Sequence, residues 1–132
     1  MRSCAGLRRW SVLAAVGLLG LPLAGGAAAP VDSQAEVSYL LGYIESSGCE
    51  FYRNGSTFDA ARAAAHLRDK YAALGAIGKS GTAEAFIDKV ASRSSFTGRI
   101  YEVRCAGQER MWTAPWLRDV LERFRSNGAP RS

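Results

Sequence analysis

His66 is the only histidine in the chain, with Arg62 and Lys70 at i−4 and i+4 and Asp69 at i+3. On a helix these spacings make the four side chains neighbours. An imidazole oriented by a carboxylate is a general base, and the same ring flanked by two cations is an anion ligand. The plainer alternative is a boundary histidine that packs its ring on a neighbour, since it lies about 100° around the helix from the core stripe. A second concentration of donors is Arg93, Ser94, Ser95, Thr97 and Arg99, with Gly98 among them and no acid from 93 to 99. Hydroxyls, backbone N–H groups and two guanidiniums in one turn make an anion-binding candidate. Two arginines that close repel unless something negative lies between them, and Asp88 and Glu102 are the nearest acids in sequence. With either of them in that role, the turn is a helix C-terminal cap with arginine at the negative end of the helix. Glu45 and Glu50 are a third candidate, either a carboxylate pair or two solvated surface acids.

Other chemistries are poorly served. Zinc needs several Cys or His ligands, and the chain has three cysteines and one histidine. Serines are many but none lies in a nucleophile-elbow motif. No phosphate loop, dinucleotide fingerprint or calcium loop occurs. No catalytic residue, metal or cofactor is assigned.

The N-terminus decides the compartment. Arg2, Arg8 and Arg9 precede an apolar run from Trp10 to Leu23, and Ala24 to Ala29 supplies small residues at a cleavage position. This is a secretory signal peptide, residues 1–28, cut after Ala28 so that Pro30 is not at +1. The apolar run is short for a membrane span, which needs about 20 residues. The residues after Arg8-Arg9, Trp10-Ser11-Val12, fit a twin-arginine signal poorly, so the general secretory route is expected. No cysteine follows the apolar run to carry a lipid. The leader takes three arginines and no acid, so the balance falls from 17 cations against 12 acids to 14 against 12. A net charge of +2 gives no ground for nucleic-acid binding. Residues 29–132 then form one small domain. Cys4 leaves with the leader, and the even pair Cys49 and Cys105 is expected to form one disulfide, the alternative being two buried thiols.

Four helices and two strands must position these residues. Ser33-Gln34-Ala35-Glu36 reads as a capping box, a Ser at the cap and a Glu three on. Val37, Leu40, Leu41 and Ile44 carry a helix from 34 to 47 that Gly48 stops. Residues 49–53 alternate and run into Asn54-Gly55, a strand and a turn. Ser56 and Asp59 read as a second capping pair, opening a helix over 57–74 with Ala60, Ala64, Leu67, Tyr71 and Leu74 on one stripe. A glycine-rich loop follows, residues 75–81, and Thr82 caps a helix whose inner face is Phe86, Ile87, Val90 and Ala91. The strand 99–105 puts Tyr101, Val103 and Cys105 on one face and Glu102 and Arg104 on the other. Residues 106–110 make a polar turn. Thr113 caps the last helix, with Trp112 and Leu117 as a hydrophobic staple and Trp116, Leu117, Val120, Leu121 and Phe124 toward the core. Antiparallel pairing of the two strands opposes Cys49 and Cys105, Glu50 and Arg104, and Phe51 and Val103. It also brings Gly55 opposite Arg99, so that Asn54-Gly55-Ser56 is expected near the donor-rich turn. The expected fold is α+β, about four helices on a short two-stranded antiparallel ribbon in the order α-β-α-α-β-α.

The segments Tyr39–Leu41, Ile44–Gly55, Ala63–Tyr71, Phe86–Gly98 on through Cys105, and Trp116–Arg118 resemble a bacterial family of small exported proteins known only as a domain of unknown function. The resemblance covers most of the exported chain and implies no activity. The leading expectation is a periplasmic or secreted non-catalytic binding or interaction module, whose partner is an unidentified envelope component or anionic ligand, with no membrane contact after the leader is removed. The alternative is a small hydrolase of an envelope polymer using His66.

Overall fold

The computed structural model describes residues 33–128 and Gly20; the leader assignment lies outside the described residues. Asn54 and Gly55 both have positive φ, 50° and 82°, as a two-residue hairpin turn of mirror-image type requires. The chain therefore folds straight back. β1 (Glu50–Arg53) pairs antiparallel with β2 (Ser56–Phe58), Phe51 opposite Phe58 and Arg53 opposite Ser56. The expected helix start at 57 is corrected here. Thr57 and Phe58 suit a strand, and Asp59 alone is the cap, accepting the Arg62 N–H at 2.8 Å. The helix behind it, α2, runs Ala60–Ala76.

α1 (Ser33–Ser46) ends ahead of Gly48, which takes φ 66° to turn the chain into β1. Thr82 caps α3 (Ala83–Phe86), its Oγ1 accepting from Ala85 N at 3.2 Å, and the helix widens into a π turn at Ile87–Ala91. The strand expected over 99–105 is regular only over β3 (Glu102–Arg104), because the preceding residues close a loop through an antiparallel bridge between Arg93 and Ile100. A fourth strand, β4 (Met111–Trp112), pairs Trp112 with Glu102 and Met111 with Val103. The sheet is thus four-stranded and antiparallel, ordered β2-β1-β3-β4, in place of a two-stranded ribbon. The element order is α-β-β-α-α-β-β-α.

The central register is as expected, Glu50 opposite Arg104 and Phe51 opposite Val103, and Cys49 is bonded to Cys105. Helices cover one face. Leu40, Ile44, Phe86, Ile87, Val103, Leu117 and Val120 are fully buried there. Ala64, also fully buried, lets α2 lie close against α1. The other face is wet and ionic: Glu50 pairs with Arg104, Glu102 with Arg110, and the Arg110 guanidinium lies 3.5 Å from the centre of the Tyr52 ring.

Both helix-start expectations at the chain's ends change. Glu36 is 1% exposed, and its carboxylate accepts from Arg125 of α4 (Thr113–Ser126) at 2.6 and 2.9 Å. A tertiary ion pair holds this acid. Trp112 occupies the cap position of α4 and is 58% exposed, so it does not staple to buried Leu117. Thr113 is the first helical residue. Its buried hydroxyl donates to the Ala91 carbonyl at 2.8 Å, with the Tyr101 carbonyl 3.3 Å away.

Candidate functional site

The donor-rich turn is closed by its own hydrogen bonds. Ser94 is buried, and its Oγ accepts from Phe96 N, Thr97 N and Asn54 Nδ2, each at 3.3 Å. Thr97 Oγ1 donates to Asn54 Oδ1 at 2.8 Å and accepts from Arg99 N at 3.3 Å. Gly98 N donates to Ser94 O. The expected proximity of Asn54-Gly55-Ser56 is real, and Asn54 makes the contact. Ser95, Arg93 and Arg99 are exposed around a fully exposed Phe96. The acids nearest the two arginines in sequence are engaged elsewhere: Asp88 with Arg118 and Glu102 with Arg110. The turn thus buries Ser94 and ties the exposed Thr97 hydroxyl to Asn54, while Arg93 and Arg99 stay exposed.

Glu45 and Glu50 do not form a pair with each other. Glu45 at the end of α1 is bonded to Arg68, and Glu50 at the start of β1 to Arg104. Those guanidiniums, by hydrogen bonding first, hold both carboxyls below the ordinary range.

His66 opens a different site. It projects from α2 into a cavity of about 240 Å³ under the β1–β2 hairpin, with Arg53, Phe58, Arg62 and Tyr101 around it. The apolar floor is Ile44, Phe51, Leu67 and Leu117. His66 Nε2 is buried and has no hydrogen-bond partner among the described residues. Burial, then the charges of Arg53 and Lys70, depress its pKa, with Asp69 opposing weakly. The ring is therefore neutral near neutral pH.

Arg53 is the central charge. β alternation sends it to the same face as Phe51, under the hairpin. Its guanidinium lies 4.6 Å from the centre of the Phe58 ring, and that of Arg62 lies 6.0 Å from the same centre. No carboxylate is within ion-pair distance of Arg53 among the described residues. Tyr101 faces Arg53 and Ser94, and burial pushes its phenol pKa up. Lys70 is held behind Tyr101, 5.2 Å from the ring centre, donating to the Val90 and Arg93 carbonyls at 2.8 Å each. Burial and Arg53 lower its pKa to about 8. Sequence reasoning found His66 and the proximity of Asn54 to the turn, but missed Arg53 and Tyr101. The legible signal was a cation at the inward position of an alternating strand.

The depressed His66 has a measurable consequence. The unfolded chain takes up this proton near the ordinary value of 6.5, the folded chain only at lower pH. The stability this confers is complete above about pH 6.5 and is lost as pH falls through the folded value. Urea midpoints should therefore fall between about pH 7 and 5, and His66→Gln should flatten that fall. An unchanged slope in His66→Gln would show that the ring titrates as it does in water. Glu45, Glu50 and Glu84 act with the same sign in a separate window, below 4.5.

Among the described residues no group of three His, Cys, Asp or Glu side chains could hold a metal, and no helix is long and apolar enough to cross a membrane. Residues 31–125 match the model of a family of unknown function, DUF5329. No curated protein and no solved structure matches the chain.

Proposed function

We propose that this chain, which belongs to the DUF5329 family of unknown function, is an exported, non-catalytic binding module whose ligand enters the cavity between the β1–β2 hairpin and α2. The function of the family is unknown, so the support comes from the site. One observation carries it: a buried, unpartnered His66 Nε2 shares a cavity with Arg53, a guanidinium without an acid. A buried polar atom left without a hydrogen bond costs about 1–3 kcal/mol, and a ligand that supplies the bond recovers that cost. A catalytic role for His66 lacks support of the same kind. A base is normally oriented by a third group, and no carboxylate hydrogen-bonds the ring among the described residues. Lys70, the other titrating nucleophile nearby, is tied to two carbonyls. The Cys49–Cys105 bond supports an oxidising compartment, and the leader read at 1–28 supports the same proposal, action in the periplasm or outside the cell.

The test is an amide-shift screen of the exported domain against small envelope metabolites of both charges. Saturable shifts at residues 51–58 and 62–67, lost in Arg53→Met, are expected. Shifts confined to 93–99 would move the site to the turn, and no saturable shift at either place would end the binding proposal.

A further inference from the structure

Resting on that reading of the cavity, we infer that the ligand is a small organic monocarboxylate with a compact apolar body, of the size and shape of an arylacetate. The inference uses the mixed character of the lining. Arg53, Arg62 and His66 share it with the buried apolar side chains Ile44, Leu67 and Leu117. Arg53 presents a planar fork, the geometry that reads a carboxylate through two parallel hydrogen bonds. Its stacking on Phe58 at 4.6 Å fixes the plane of that fork before a ligand arrives, so little side-chain entropy is lost on binding. The neutral His66 ring, once turned so that Nε2, covered as it stands, meets the cavity, can offer an N–H to a carboxylate oxygen without bringing a charge of its own into the site. Asp69 also lines the cavity but makes no ion pair with Arg53, so the local balance stays cationic.

Size narrows the class. A dry cavity of about 150 Å³ accepts benzene. The cavity here, about 240 Å³, has room for a ring of that size and a carboxylate beside it. An inorganic anion would satisfy Arg53 and leave the apolar floor against water, and an apolar molecule without charge would leave Arg53 and His66 unanswered. A cation would meet Arg53 and Arg62 directly.

Four probes separate these cases by amide shifts and calorimetry on the disulfide-bonded domain: phenylacetate, benzyl alcohol, phenethylamine and inorganic phosphate. Phenylacetate is expected to saturate shifts at 51–58 and 62–67. Benzyl alcohol and phosphate should bind at least about tenfold more weakly, the factor that one good charge-assisted contact supplies, and phenethylamine should not bind. Arg53→Met should abolish phenylacetate binding. Arg123→Met, which removes an equal charge from the exposed pair with Asp119, should leave it unchanged. Near-ultraviolet circular dichroism of each variant separates a lost site from a lost fold. Benzyl alcohol or phosphate binding in the cavity as tightly as phenylacetate overturns the monocarboxylate class while leaving a ligand cavity in place. Silence from all four probes, with a cavity ligand of another class found in the wider screen, also overturns it. Silence in both experiments removes the binding proposal as well.

Discussion

Replacing both bridged cysteines, as Cys49→Ala/Cys105→Ala, should lower the unfolding free energy by about 4 kcal/mol. The bond joins residues 56 apart in sequence, and a cross-link over that span removes a large share of the unfolded chain's freedom. Four kcal/mol is most of the lower end of a small domain's stability. The double variant is therefore expected to be partly unfolded at physiological temperature. The check is urea denaturation of the oxidised protein beside the variant, and a loss below about 1 kcal/mol would show that the strands hold their pairing without the bond. The bond fastens the central strand pair at the Glu50–Arg104 end of its register. Loss should therefore appear first as exchange of the β1 and β3 amides.

A comparable effect is expected at the far side of the core. Glu36 is a carboxylate buried at the start of α1, and Arg125 near the end of α4 is its counter-charge, bonded through Nε and Nη2. The two Glu36 bonds, then Glu84, raise the Arg125 pKa still further, so the guanidinium is charged at any ordinary pH. Arg125→Ala leaves the buried Glu36 carboxyl without its counter-charge. A buried pair broken from one side costs about 3–5 kcal/mol. Arg125 is 40% exposed along its side chain, so water reaches the pair and the lower figure, about 3 kcal/mol, is expected. Glu36→Leu/Arg125→Leu removes both charges and should cost less than Arg125→Ala alone. If the double variant is as unstable as the single one, the loss is one of packing and not of an uncompensated charge. Urea midpoints of the three variants decide between them.

The sequence made long periodic elements legible and short ones illegible, for a physical reason. α1, α2 and α4 repeat their apolar face over several turns, and the two cysteines fixed the central register by placing apolar and opposite-charged residues in facing pairs. β2 and β4 have three and two residues, too few to establish a period of two. Ser56 and Asp59 also carry the spacing of a capping pair, and that local resemblance concealed a strand which only the Asn54-Gly55 turn announces. Glu36 shows the same failure over a longer range. Its spacing from Ser33 is right for a cap, yet its partner is 89 residues away, which no local pattern can disclose. The site divides similarly. His66 was visible because it is unique. Arg53 was not, because its importance comes from what hairpin closure places over it. The hydroxyls of Ser94 and Thr97 looked available in sequence, and Asn54 occupies both.

The strand order also sets a timetable. A chain that emerges N-terminus first presents β1 and β2 together, since Phe51 and Phe58 are seven residues apart in their pairing. That hairpin and the two helices beside it can assemble from local contacts at once. β1 must then wait for its other neighbour, because Val103, opposite Phe51, arrives only after the glycine-rich loop and α3 have passed. Closing so long a loop is slow relative to a hairpin. The hairpin and α2 are thus formed while Tyr101 and the bonding partner of Cys49 are still absent, and for that interval Cys49 is an open thiol. Oxidation waits for β3, so the redox state of this one bond reports whether a given molecule has joined its two central strands.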